Sequence, residues 1–177
     1  MKLSWSKYEL FKSYDEYITP KRTVRGHLRK IGYFFESLSH NDLQELDSAT
    51  KSAIKSMGIN FRVYSDEGSE ERTWPLDFIP RIIKKSEWNI VEKGLKQRTK
   101  ALNYFIEDCY NEQSFLNSGI IDKSLIIKSK YFLRFCKGTK LPNKSWAHIS
   151  GSDLVKDIKG DFHVLEDNLR VPSGVSY

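Results

Sequence analysis

SWAHISGSDLVKDIKGDFHVLEDNLRVPSGVSY, residues 145–177, is the stretch whose reading decides the fold. Two runs of strand character, 146–155 and 161–166, flank Asp157-Ile158-Lys159-Gly160, a polar tetrad whose glycine tolerates positive φ, so the local expectation is a β-hairpin. A turn centred on Ile158 and Lys159 pairs Asp157 with Gly160, and the register then sets Gly151 opposite Glu166 and Asp153 opposite Val164. Opposed residues share a face and side chains alternate with period two, so Asp153, Glu166 and Asn168 are expected to point the same way. Asp153 and Glu166 become diagonal neighbours, about 7–8 Å apart at their backbones. Two carboxylates and an amide oxygen are hard donors of the kind Mg²⁺ takes while keeping positions open for phosphates. A magnesium–nucleotide site is one reading; a solvated acidic hairpin end is the other.

The order Asp153, strand, glycine turn, strand, then Leu165-Glu166-Asp167-Asn168, Pro172 and Gly174 resembles the metal-binding end of ATP-grasp ligases. The longer wording, HISGSDLVKD (148–157) with VLEDNLRVPSGVSY (164–177), is similar to the circularly permuted members, in which this end precedes the part that ordinary ATP-grasp enzymes place first. The resemblance implies that Glu166 bridges two Mg²⁺ ions of ATP while Asp153 and Asn168 each complete one. Related ligases carry an arginine just before the first aspartate; here Gly151 and Ser152 stand there, so Arg170 is the nearest cation to offset phosphate charge. It implies also that residues 172–176 form a turn whose N–H groups, those of Ser173 and Gly174 among them, face the phosphate or acceptor. The implied chemistry activates a carboxylate by phosphorylation with ATP and lets an amine or thiol displace the phosphate, with metal ions and a cation stabilising the charge that develops. An ATP-grasp enzyme clamps ATP between two α+β subdomains, so the chain is expected to be a fragment, inactive alone, whose remaining portion is supplied in cis or in trans. The partners implied are a nucleotide and a carboxylate, amine or peptide substrate.

Upstream, GINFRVY (58–64), PLDFIPRII (75–83) and EKGLKQRTKALNYFIEDCY (92–110) resemble the same family's GITFxVY, PFDxIPRII and GLxQRxxALNxFLxDxY segments. Read for themselves, residues 59–64 alternate as a strand and pair with 71–74 across a turn at Asp66-Glu67-Gly68. Pro75 and Pro80 keep Leu76 to Ile79 extended, and Asp77 and Arg81 form a structural ion pair or line a substrate pocket. Ser86 caps a long helix whose stripe of Trp88, Val91, Leu95, Leu102, Phe105, Ile106 and Cys109 is core, while Lys96, Gln97, Arg98, Lys100 and Asn103 lie on its polar face. Gln97 and Arg98 are either solvated or contacts to the nucleotide. Ser39 and Asp42 cap a second helix, 40–57, closed by Gly58. Within residues 1–38 the basic segment 21–30 is expected to be a helix with one solvated face, on the strength of Val24 and Leu28. Residues 111–144 are irregular, with a turn at 117–119, a short strand at 124–128 and a loop at 138–142.

The formal charge of +6 and a pI near 9.2 permit an anionic partner, but 29 basic residues are interspersed with 23 acidic ones, the mark of a solvated surface. A basic module reading nucleic acid through residues 21–30 and a non-catalytic domain docking on a partner chain are the readings set against the ligase; nucleic acid is not expected. No GxxxxGK[ST], GxGxxG, HExxH or GxSxG occurs, and His27, His40, His148 and His163 are scattered. The absence of an ~18-residue apolar run and of a signal-peptide core predicts a cytoplasmic chain. Cys109 and Cys136, far apart and without a CxxC companion, fit thiols in a reducing compartment. The expected fold is α+β: antiparallel hairpins with long amphipathic helices in an incomplete circularly permuted ATP-grasp fold, divided as 1–38, 39–144 and 145–177.

Overall fold

The computed structural model describes residues 4–65, 68–172 and 174–175. Its helices are α1 (Arg29–Ser37), α2 (His40–Ser56), α3 (Lys85–Tyr110), α4 (Ser114–Asn117) and α5 (Lys123–Ile127). Its strands are β1 (Asn60–Ser65), β2 (Gly68–Thr73), β3 (Gly151–Lys156) and β4 (Phe162–Asn168), paired as two two-stranded sheets, β1 with β2 and β3 with β4. The mixture of helices and small antiparallel sheets is the α+β class. The chain forms two compact units, the first from the residues up to Ile83 with Lys156–Asp161, the second from Lys84–Val155 with Phe162–Val175.

In the first unit, α2 begins where Ser39 Oγ accepts from the Asp42 N–H at 3.2 Å and the Asp42 carboxylate accepts from the Ser39 N–H at 2.7 Å. That reciprocal pair satisfies two amides that the first helical turn leaves open. The helix stops on Gly58, at φ 68°, with Ile59 N–H donating to Ile54 and Gly58 N–H to Lys55, a closure that needs the left-handed conformation glycine adopts without strain. β1 and β2 then pair in register from Asn60 with Thr73 to Ser65 with Gly68; Asp66 and Glu67, the expected turn, lie outside the described residues.

The unit's core is Trp5, Ile18 and Phe35, with Tyr17, Val24, Ile31, Leu43 and Phe78 packed on it. The segment 21–30 departs from the expected helix. Thr19 and Thr23 bond across a tight turn with Arg22 at φ 59°, Ile18 bridges Val24, and helical structure starts only at Gly26. Val24 is therefore a bridge residue pressed onto α1: a Cβ on Gly32 would stand 2.7 Å from Val24 Cγ1. Asp77 and Arg81 do not pair with each other. Arg81 binds Glu16, Nε to Oε2 at 2.7 Å, and Asp77 accepts from the Ile79 N–H at 2.8 Å.

The second unit is built on α3. Its N-cap is Lys84, whose N–H donates to Glu87 Oε2 at 3.1 Å, and not Ser86. Val91 and Cys109 are buried and Leu95, Leu102, Phe105 and Ile106 half-buried, whereas Trp88 is exposed. Residues 124–128, expected as a strand, fall in α5 and its C-cap, Lys128. The Asp122 side chain accepts from the Ser124 N–H at 2.8 Å, an N-cap that redirects the apolar run 125–127 into a helical turn.

Candidate functional site

The open end of the β3–β4 hairpin is held by α3. Tyr110 is stacked between Phe132 and Trp146, ring centroids 4.9 and 4.8 Å away, and Trp146 Nε1 donates to Glu107 Oε2 at 2.6 Å. Asn103, buried, accepts the N–H groups of Trp146 and Ala147 on one oxygen at 2.7 and 2.8 Å and donates to the Thr99 and Ala147 carbonyls. A polar side chain buried in a helix must find partners for each donor and acceptor, and here the partners are the backbone that leads into β3. Asn103 is thus a clamp and not part of a solvated face.

The second clamp is Asp167, whose carboxylate accepts from Arg98 Nε at 2.6 Å and from Ser152 Oγ at 2.7 Å. Its side chain is 10% exposed against 47% for Arg98. Burial pushes the Asp167 carboxyl up, but the Ser152 hydroxyl and the Arg98 guanidinium outweigh that and hold it below the ordinary carboxylate range. Arg98 therefore ties α3 to β4, a partner that sequence gave no means of choosing.

The turn differs from the expected one. Asp157 N–H bonds to Asp161 and not to Gly160, while Gly160 N–H bonds back to Asp157, both at 3.0 Å, so the loop is Ile158-Lys159-Gly160 with Gly160 at φ 90°. This is a type I turn closed by a glycine bulge. Counting outward from it sets Ser152 across from Glu166. At the open end, however, Ser152 bonds to Asp167, and a Cβ on Gly151 would lie 3.9 Å from that of Asn168, so the pairing there runs one residue later. A one-residue offset between the ends of one ladder is what a β-bulge produces. The interruption falls where Leu165 and Glu166 are both exposed and Asp167 and Asn168 both half-buried.

The expected register is corrected accordingly: at the open end Gly151 stands by Asn168 and Ser152 by Asp167. Asp153 and Glu166 are exposed, and Asn168, half-buried, donates from Nδ2 to Glu166 Oε1 at 3.1 Å. Among the described residues no cation pairs with either carboxylate, and no three His, Cys, Asp or Glu side chains converge to hold an ion. The donor set is two carboxylates and one amide, all oxygen, which suits a hard cation that keeps most of its water.

Arg170 is exposed, its guanidinium 5.3 Å from the centre of the Tyr131 ring. Gly174 is exposed at φ 80°, and Ser173 lies outside the described residues. Gly151 has no room for a side chain, since a Cβ would meet that of Pro172 at 2.9 Å. Gln97 is exposed. His148 is exposed and lines a groove of 590 Å³ on α3, with Trp88, Lys96, Lys100, Tyr104 and Lys144. No helix among the described residues is long and apolar enough to cross a membrane.

Residues 80–177 match the model of a family described as circularly permuted ATP-grasp type 2. A Synechocystis protein named uncharacterized protein sll0335 is 43% identical over 164 residues, covering 93% of this chain and 34% of its own length. A Mycobacterium tuberculosis protein, uncharacterized protein Rv2411c, is 39% identical over 168 residues, 93% of this chain and 29% of its own. A Frankia alni protein named "Putative glutamate--cysteine ligase 2-3" is 36% identical over 166 residues, again 93% of this chain and 19% of its own. The chain spans about a third or less of the curated relatives it matches.

Proposed function

The chain belongs to the circularly permuted ATP-grasp family, and from that premise we propose that it supplies the metal-binding end of an ATP-dependent carboxylate–amine ligase. The observation that carries this reading is the two exposed carboxylates on paired strands, Asp153 on β3 and Glu166 on β4, with Asn168 bonded to Glu166 and no neutralising cation among the described residues. In a chain of net charge +6, two acids left unpaired on one strand face are a standing site for a cation.

Asp153, Glu166 and Asn168 would hold Mg²⁺ with ATP, and the ions supply charge neutralisation for phosphoryl transfer to a carboxylate. The chain's own residues set the geometry. Asp167, locked to Arg98 and Ser152, fixes which face of β4 turns toward α3, so Glu166 and Asn168, one position to either side, face away from that anchor. Arg170, exposed beside the Tyr131 ring, would meet phosphate charge, and the turn at Gly174 would offer a backbone N–H group. The name of the Frankia relative supports an amino-acid carboxylate and an amine as the substrate classes, joined through an acyl phosphate. In the family the clamp around ATP takes two α+β subdomains, so these residues would act with the rest of an ATP-grasp domain, in cis or in trans, a reading supported by relatives about three or more times as long.

Titration of the chain with Mn²⁺ as a paramagnetic stand-in for Mg²⁺ tests the reading. Amide resonances of Asp153, Glu166 and Asn168 are expected to broaden first, and Glu166→Ala to abolish that selectivity. Broadening that starts elsewhere, or that Glu166→Ala leaves unchanged, removes the basis for the proposal.

A further inference from the structure

Lys156, the last residue of β3, is a lysine that the fold buries: its side chain is 7% exposed. Its Nζ stands 3.6 Å from Glu16 Oε1 and 5.4 Å from the centre of the Tyr14 ring. Both partners are themselves fixed. Arg81 holds the Glu16 carboxylate with two nitrogens, Nε on Oε2 at 2.7 Å and Nη2 on Oε1 at 2.8 Å, and the Arg25 guanidinium lies 4.3 Å from the centre of the Tyr14 ring. Gly160, in the turn that follows β3, comes so near the same ring that a Cβ there would meet Tyr14 Cε2 at 2.7 Å. The tip of the hairpin is thus seated on Tyr14 and Glu16.

A buried ammonium gives up its hydration, and an apolar side chain of the same length would serve stability about as well. What the charge adds is direction, because a pair with a carboxylate that is itself held fixes where Nζ lies. Side chains of a strand alternate between its faces, and along β3 Ser152, Leu154 and Lys156 are half-buried while Asp153 and Val155 are exposed. Ser152 is held by Asp167 and Lys156 by Glu16. These are two polar contacts on one face, four residues or about 13 Å apart, and together they stop the strand from rolling about its own axis. Asp153 lies between them on the other face, so the direction of its carboxylate follows from theirs.

We propose that Lys156 is a positioning residue for the cation site, holding the roll of β3 so that the Asp153 carboxylate is presented to the ion; this rests on the metal-binding reading of Asp153, Glu166 and Asn168. The sign of its effect separates it from plain electrostatics. An ammonium on the same strand repels a cation, so its removal would by charge alone tighten metal binding, whereas loss of the anchor weakens it.

Mn²⁺ binding to the full chain, followed through the electron paramagnetic resonance signal of the free ion, tests the assignment. Lys156→Met is expected to weaken Mn²⁺ about fivefold, less than the loss of a group bonded directly to a ligand, while the melting temperature stays level or rises. Lys156→Arg keeps the charge and is expected to bind Mn²⁺ within about twofold of the wild-type chain, since both side chains carry a cation on a long stem. Tyr14→Leu removes the ring beside Lys156 without changing any charge; it is expected to weaken Mn²⁺ in the same direction, and it decides the matter if Lys156→Met does not fold. Affinity in Lys156→Met equal to or tighter than wild type, an unchanged Tyr14→Leu, or a Lys156→Arg as weak as Lys156→Met overturns the proposal and leaves the metal reading standing. No Mn²⁺ binding by the wild-type chain overturns both.

Discussion

At the residue scale, the candidate site depends on an acid that no motif pointed to. Asp167 reads as the variable position between Glu166 and Asn168, yet it is the carboxylate that two partners fix. Replacing it with Asn leaves a shape but removes the charge, and the loss is expected to be roughly 1–2 kcal/mol in urea unfolding, the range of a hydrogen bond to a charged group, discounted for the solvent around Arg98. Its pH dependence has a definite sign. The folded-state pKa is depressed, so the stabilisation is complete above the unfolded value of about 3.9 and fades as pH falls through the lower folded value. The Asp167→Asn variant is expected to show a shallower loss of stability below about pH 4; an identical acid limb in both proteins would count against the anchor. The two thiols make a second contrast. Cys109 is buried on α3 and burial, with the Asp108 charge, raises its pKa, whereas Cys136 is half-buried. Iodoacetamide at pH 8 is expected to label Cys136 well before Cys109, read by peptide mass spectrometry.

At the element scale, caps and turns decide where each segment stops. Ser39→Ala removes half of the reciprocal cap on α2 and is expected to cost about 1 kcal/mol in thermal unfolding. Gly160 carries more. Its φ of 90° disfavours any side chain, and a Cβ there would stand 2.7 Å from Tyr14 Cε2, so Gly160→Ala is expected to destabilise by more than about 1 kcal/mol. The hairpins and α2 were legible because their signals are local: alternation, a capping pair, a glycine at the close. Two other elements were not. The run 124–128 is apolar enough for a strand, but the Asp122 cap commits it to α5, and the Val24–Leu28 spacing suggests a helix where a bridge forms. Both are short, and in short segments a side-chain hydrogen bond or one tertiary contact outweighs propensity.

At the scale of the whole molecule, the described residues make two compact units with two-stranded sheets, matched by relatives about three or more times as long. These 177 residues alone are expected to release no phosphate from ATP and Mg²⁺ above a protein-free control. Measurable turnover that Glu166→Ala abolishes would mean that the described residues close a nucleotide clamp by themselves.

Sequence by itself determined the family, the α+β class, the two hairpins and the long helix, because spacing and wording along the chain are what those features consist of. The identity of the anchors was settled only in three dimensions. Asn103 and Arg98 look like any polar residues of a helix until Ala147 and Asp167, 44 and 69 positions away, are brought against them. The register of the second hairpin likewise rests on a turn one residue longer than expected and on a one-residue offset at the far end of the ladder. A hairpin's register is set by which backbone groups close its turn and which side chains lock its open end, and both are contacts that period-two alternation cannot specify.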